Sequence, residues 1–155
     1  MMIWIIEDEA RWIKEAIEAI DQARIHIPAA IEIKTGDDWQ WPPRLKIVER
    51  DGMEKADKHP LAVLPNLLIL DLYEWGRVFR GKSFYEQLRE HEKNVKKRLG
   101  AFVIIWSNYW SDPDSIDFVK ETRERDTRFI ALETKARSRL AEAVKGCIGR
   151  IEEEG

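Results

Sequence analysis

The sequence predicts an α/β fold in three layers: a five-stranded, mostly parallel sheet with helices on both faces. Three observations predict it. The runs Ile3–Ile6, Leu67–Leu70 and Phe102–Trp106 are apolar and β-rich, too short for buried helices and not strictly alternating. That is the pattern of strands buried on both faces. Each run ends in polar residues: Glu7 and Asp8, then Asp71, then Ser107 and Asn108. Amphipathic helical patterns lie between the runs.

In chain order, Ile3–Ile6 is followed by a helix over 9–23, with Trp12, Ile13, Ala16, Ile17 and Ile20 on one face and charges on the other. Ile31–Lys34 is a weaker strand. Residues 35–52 read as an insertion, a loop or a hairpin, holding Trp39, Trp41, a strand-like Leu45–Val48 and an Asp51-Gly52 turn signal. Residues 53–64 look helical. After Leu67–Leu70, a helix over 84–98 follows Ser83, with Glu86 placed to complete a capping box. Asp112 and Pro113 read as an N-cap and the first helical residue of a helix to about Arg125. Arg128–Leu132 is the last strand. Residues 136–153 close the chain as a helix with Leu140, Ala143, Val144, Cys147, Ile148 and Ile151 on its apolar face. No internal repeat is present.

A chain of 155 residues suits a single domain spanning 1–155. The 26 Lys+Arg against 29 Asp+Glu leave a net charge of −3, which argues against bulk nucleic-acid binding. The single cysteine, Cys147, excludes an internal disulfide and a Cys-rich metal site. No apolar run approaches the roughly 18 residues of a membrane span. The N-terminus lacks a basic signal-peptide start. The expectation is a cytoplasmic protein with neither nucleic acid nor membrane as partner. His26, His59 and His91 are scattered and read as structural or exposed. Trp39, Trp41, Trp75 and Trp110 fall in loop-like stretches. The Trp39/Trp41 pair reads either as a loop packed on its own domain or as a docking patch.

In an open α/β sheet, ligands bind beyond the carboxyl ends of the strands, where these polar residues fall. Glu7, Asp8 and Asp71 would form a cluster of three carboxylates, whose mutual repulsion a hard cation such as Mg²⁺ relieves. Ser107 adds a hydroxyl and Lys135 a positive charge, with Arg137 or Lys120 as alternatives to Lys135. This set suits an Asp that attacks a phosphoryl group while Mg²⁺, lysine and hydroxyl hold its oxygens.

Four segments carry a resemblance: Ile5–Glu9 (IIEDE), Asn66–Leu72 (NLLILDL), Gly81–Arg89 (GKSFYEQLR) and Val103–Asn108 (VIIWSN). With them the chain resembles the receiver domain of two-component response regulators over nearly its whole length, as an atypical member with an insertion before the third strand. The resemblance implies a CheY-like, flavodoxin-like fold. It implies that Glu7 and Asp8 bind Mg²⁺, and that Asp71 is both phosphoacceptor and metal ligand. The backbone carbonyl of Tyr73 would be a further ligand. Ser107 matches the switch hydroxyl and Lys135 the lysine that pairs with the phosphoryl group. A histidine kinase or phosphotransfer protein would be the donor partner. Output would pass through contact with another protein, since no output domain follows the closing helix. Such a phosphoprotein is not a conventional enzyme, although it can dephosphorylate itself.

The chain departs from the family pattern at Ala136, where a proline normally follows the lysine, and at Leu132, the aromatic switch position. Trp75 replaces a proline in the acceptor loop, which is longer by about two residues, and the spacing from Ser107 to Lys135 is long. Two other functions are therefore weighed. One is a phosphorylation-independent adaptor (a pseudo-receiver) using the Trp-rich insertion as its interface. The other is a metal-dependent nuclease built on Glu133-Thr134-Lys135 with Asp71.

Overall fold

The computed structural model describes the chain except residues 26, 28, 29, 50, 76 and 109–111, so His26 and Trp110 lie outside the described residues. Its elements are β1 (Met2–Ile6), α1 (Ala10–Arg24), β2 (Glu32–Gly36), β3 (Lys46–Val48), β4 (Glu54–Ala56), β5 (Leu67–Leu70), β6 (Tyr73–Glu74), β7 (Val78–Phe79), α2 (Gly81–Asn94), β8 (Phe102–Trp106), α3 (Pro113–Arg125), β9 (Phe129–Leu132) and α4 (Arg137–Glu154). The main sheet runs β4-β3-β2-β1-β5-β8-β9, and β6 and β7 form a separate hairpin. Strands β2, β1, β5, β8 and β9 are parallel, with Ile5, Ile69, Ile104 and Ile130 in register.

The sheet has seven strands rather than five. One extra strand, β3, falls in the 35–52 insertion and pairs antiparallel with β2; the other, β4, lies just beyond it and pairs antiparallel with β3. β4 replaces the start of the helix predicted over 53–64. Its three residues are all exposed, so pairing with β3, not burial of an apolar face, determines their state. Gly52 takes a left-handed φ of 81° at the turn between them.

Side chains alternate between the two faces of the sheet. Ile3, Ile5, Ile69 and Ile104 pack with Ala16 and Ile20 of α1 and with Leu140, Val144 and Ile148 of α4. Trp4, Ile6, Leu68, Leu70, Val103 and Ile105 pack with Phe84 and Leu88 of α2 and Phe118 of α3. Cys147 is buried in the first of these clusters, and burial pushes its thiol up to about 12. Trp39 is buried in the second cluster, and Trp41 packs beside it on Phe84, Trp4 and His91. Trp39 fills the α2 side of the core and Trp41 is half-buried against it, which favours a loop packed on its own domain over a docking patch.

Two helix boundaries differ from the sequence expectation. α2 begins at Gly81, so Ser83 lies inside the first turn and makes no cap; its hydroxyl accepts a bond from Gln87 instead. α2 also ends at Asn94, and Lys96 turns the chain with a φ of 55°. α3 starts as expected, with the Asp112 carboxylate accepting the Asp114 N–H at 3.1 Å and Pro113 at the first helical position. Among the described residues no helix is long and apolar enough to cross a membrane.

Candidate functional site

The carboxyl ends of β1, β5, β8 and β9 converge at one edge of the parallel sheet. Glu7 follows β1 directly, and its Oε1 accepts the N–H groups of Asp8 (3.1 Å) and Glu9 (3.2 Å), which turns the chain into α1. Asp71 follows β5, and its N–H donates to the Ile6 carbonyl at 3.1 Å, locking the two strand ends together. Glu7, Asp8 and Asp71 each place a carboxylate oxygen within 4.8 Å of the others. Three carboxylates this close repel, and an all-oxygen set of this kind fits a hard divalent cation.

Lys135 lies in the connection between β9 and α4, and its N–H donates to Asn108 Oδ1 at 3.0 Å. Its ammonium reaches into the cluster, 2.5 Å from Glu7 Oε2 and 3.2 Å from Asp71 Oδ2. Arg137, the alternative cation, is held by Glu15 and Glu18 instead. Lys120 is exposed on α3. Ser107, the residue after β8, is fully buried. Glu133 is exposed and, among the described residues, is not one of the clustered acids.

Glu7 is 2% exposed, and its carboxyl is pushed up to about 8. Burial is the main cause and the charge of Asp71 the second; Lys135 and the Glu9 N–H pull it back only part of the way.

The β6–β7 hairpin follows Asp71 directly. The Tyr73 N–H points at Asp71 Oδ1 (3.4 Å), so the Tyr73 backbone runs along the cluster. The Tyr73 hydroxyl donates to the Asp112 carboxylate at the start of α3, and burial together with that bond pushes the phenol up to about 12. Trp75 takes a φ of 51° at the hairpin turn, a conformation that bulky residues rarely adopt, and its N–H donates to Asp8 Oδ2 at 2.5 Å. A cleft of about 190 Å³ opens onto the cluster between Trp12, Trp75, Asn108 and Lys135.

Trp39 has a role at the site that the sequence does not announce. Its indole N–H donates to the backbone carbonyl of Asp71 at 2.8 Å, fully buried, across 32 positions of sequence. The insertion therefore holds the Asp71 main chain from the α2 side. Trp39→Phe keeps an aromatic ring, though a smaller one, and leaves that carbonyl without its indole donor. The expected cost is about 1–2 kcal/mol in urea denaturation. Unchanged stability would show that the bond contributes nothing.

The fold and the strand-end cluster together define a receiver-like α/β domain. Among solved structures, the chain is similar to the one titled "Structure of the bacteriophytochrome response regulator AtBRR", with a TM-score of 0.52 at 14% identity over 94% of this chain and 92% of that chain. At that identity the likeness shows the fold alone. No family model matches the chain, and no curated protein sequence matches it.

Proposed function

We propose that the chain is a receiver-like signalling domain that accepts a phosphoryl group on Asp71 with Mg²⁺ bound beside it. The observation that carries this reading is the convergence, at one sheet edge, of three clustered carboxylates with the Lys135 ammonium 3.2 Å from Asp71 Oδ2. A receiver-like fold puts an acceptor at this strand end, and the solved structure of similar fold is a response regulator.

Glu7, Asp8, Asp71 and the Tyr73 carbonyl would hold the cation, whose charge offsets that of the phosphoryl oxygens. Asp71 attacks phosphorus through a carboxylate oxygen. The bond from phosphorus to the donor's leaving group breaks, and an acyl phosphate forms. Lys135 neutralises a phosphoryl oxygen, and the Ser107 hydroxyl bonds to another. The donor is a histidine kinase or phosphotransfer protein, and output runs through a protein partner in the cytoplasm. The domain then acts as a phosphorylated switch and not as a conventional enzyme. The adaptor reading has less support, because Trp39 is buried in the core and Trp41 packs half-buried against it.

Intact mass after incubation with Mg²⁺ and acetyl phosphate tests the proposal. One phosphoryl-sized gain is expected, absent with a chelator and absent in Asp71→Asn. A folded chain that gains nothing with Mg²⁺ present contradicts it and returns the adaptor reading to first place.

A further inference from the structure

Lys135 is a long, flexible side chain on a short connection, and four rotatable bonds separate its charge from the backbone. The backbone there is held lightly: the Lys135 N–H meets Asn108, and the Ala136 N–H meets the Thr134 carbonyl at 3.0 Å. Yet the side chain is only 5% exposed and its ammonium sits between two carboxylates. Something other than the connection must confine it.

Two indoles flank it. The ammonium lies 5.1 Å from the ring centroid of Trp12, on α1, and 5.7 Å from that of Trp106, the last residue of β8. The two rings meet edge to face, 5.6 Å apart at 82°. Trp106 is 1% exposed, and its indole N–H finds no hydrogen-bond partner among the described residues. Buried tryptophans usually find a partner for that group, so Trp106 carries a desolvation cost that a phenylalanine would avoid. What the ring offers here is its π face. Trp12 also carries the Arg11 guanidinium 4.4 Å from its centroid, which marks it as an electron-rich surface used by cations.

We propose that Trp12 and Trp106 are positioning residues: an aromatic corner that holds the Lys135 ammonium in line with Asp71. The functional half of this inference rests on the receiver reading above. The corner replaces part of the hydration that the buried ammonium loses and removes rotamers in which it would swing away from the acceptor. It also gives a physical role to residues that, by helical spacing and strand pattern alone, are ordinary core.

Trp106 lies deep in the core, so the test uses Trp12, at the margin of α1, in the full chain. The first readout is the NMR shift of the Lys135 ε-methylene, assigned from its loss in Lys135→Met. Ring currents from two indoles displace it upfield from an exposed lysine. Trp12→Leu is expected to abolish most of the displacement, and Trp12→Phe to retain part of it. The second readout is the rate of phosphoryl uptake from acetyl phosphate with Mg²⁺. Trp12→Leu is expected to be about ten-fold slower, with Trp12→Phe recovering most of the rate. An undisplaced ε-methylene, or one unmoved by Trp12→Leu, overturns the corner. Normal uptake in Trp12→Leu overturns its positioning role. If the unmodified chain takes up no phosphoryl group, the receiver reading fails, and the shift alone decides whether the corner holds Lys135.

Discussion

Replacing Glu7 by Gln is expected to raise thermal stability at about pH 8 while weakening the stabilisation expected from Mg²⁺. The sign follows from the direction of its shift. An ordinary glutamate titrates near 4.5; buried in this cluster, Glu7 holds its proton up to about 8. Between those values the folded chain binds more protons than the unfolded one, so stability falls as pH rises through the window. Gln keeps an oxygen for the Asp8 and Glu9 N–H groups and has nothing to titrate. Relative to Glu7→Gln, the unmodified chain should lose about 5 °C or more of Tm between about pH 5 and pH 8. In the proposed site Mg²⁺ needs the carboxylate, so its affinity should climb across the same window and each binding event should release a proton. Without Glu7 the affinity should drop by at least about ten-fold at pH 8. Calorimetric titration in two buffers of different ionisation enthalpy reads both effects. A flat pH dependence, or full Mg²⁺ affinity in the variant, would remove Glu7 from the site.

The second large effect is expected at Gly81. An added Cβ there would lie 2.6 Å from Leu72 Cδ2, 2.7 Å from Leu72 Cα and 3.2 Å from the Asp71 carbonyl oxygen. The Leu72 Cα is main chain and cannot swing aside. The first turn of α2 is thus pressed directly against the exit of β5, and the Gly81 N–H bonds the Leu72 carbonyl at 3.0 Å. Gly81→Ala should cost about 3 kcal/mol in urea denaturation. Because the strain falls on the Asp71–Leu72 main chain, phosphoryl uptake at the proposed acceptor should slow as well. Gly146, exposed in α4, is the control, since an added Cβ there meets nothing within 4 Å. Gly146→Ala should stabilise the chain by about 0.5–1 kcal/mol. The same substitution then has opposite signs at two helical glycines. Equal effects at both positions would mean that the close approach at Gly81 is not real.

These residues also show what the sequence can and cannot announce. The strands at Leu67–Leu70 and Phe102–Trp106 are legible to the residue, because apolar runs buried on both faces leave no other place for their side chains. The helix from Pro113 is legible because its cap is local chemistry, two residues from carboxylate to N–H. Glu7, Asp8, Asp71 and Lys135 meet because parallel strands deliver their carboxyl ends to one edge, a consequence of topology. By contrast, Glu54–Ala56 carries no apolar pattern, and only its pairing with β3 makes it a strand. Trp39 on the Asp71 carbonyl and Trp12 beside Lys135 are long-range contacts of aromatic rings. In the sequence, both look like residues that merely fill a loop or a core.

The most direct measurement of the central claim is the position of the modified side chain. Borohydride reduces an aspartyl phosphate to homoserine, so treatment after Mg²⁺ and acetyl phosphate marks the acceptor permanently. Peptide sequencing should find homoserine at position 71 alone. Homoserine at position 8, or a folded, Mg²⁺-treated chain with none, would contradict the assignment of Asp71 as acceptor.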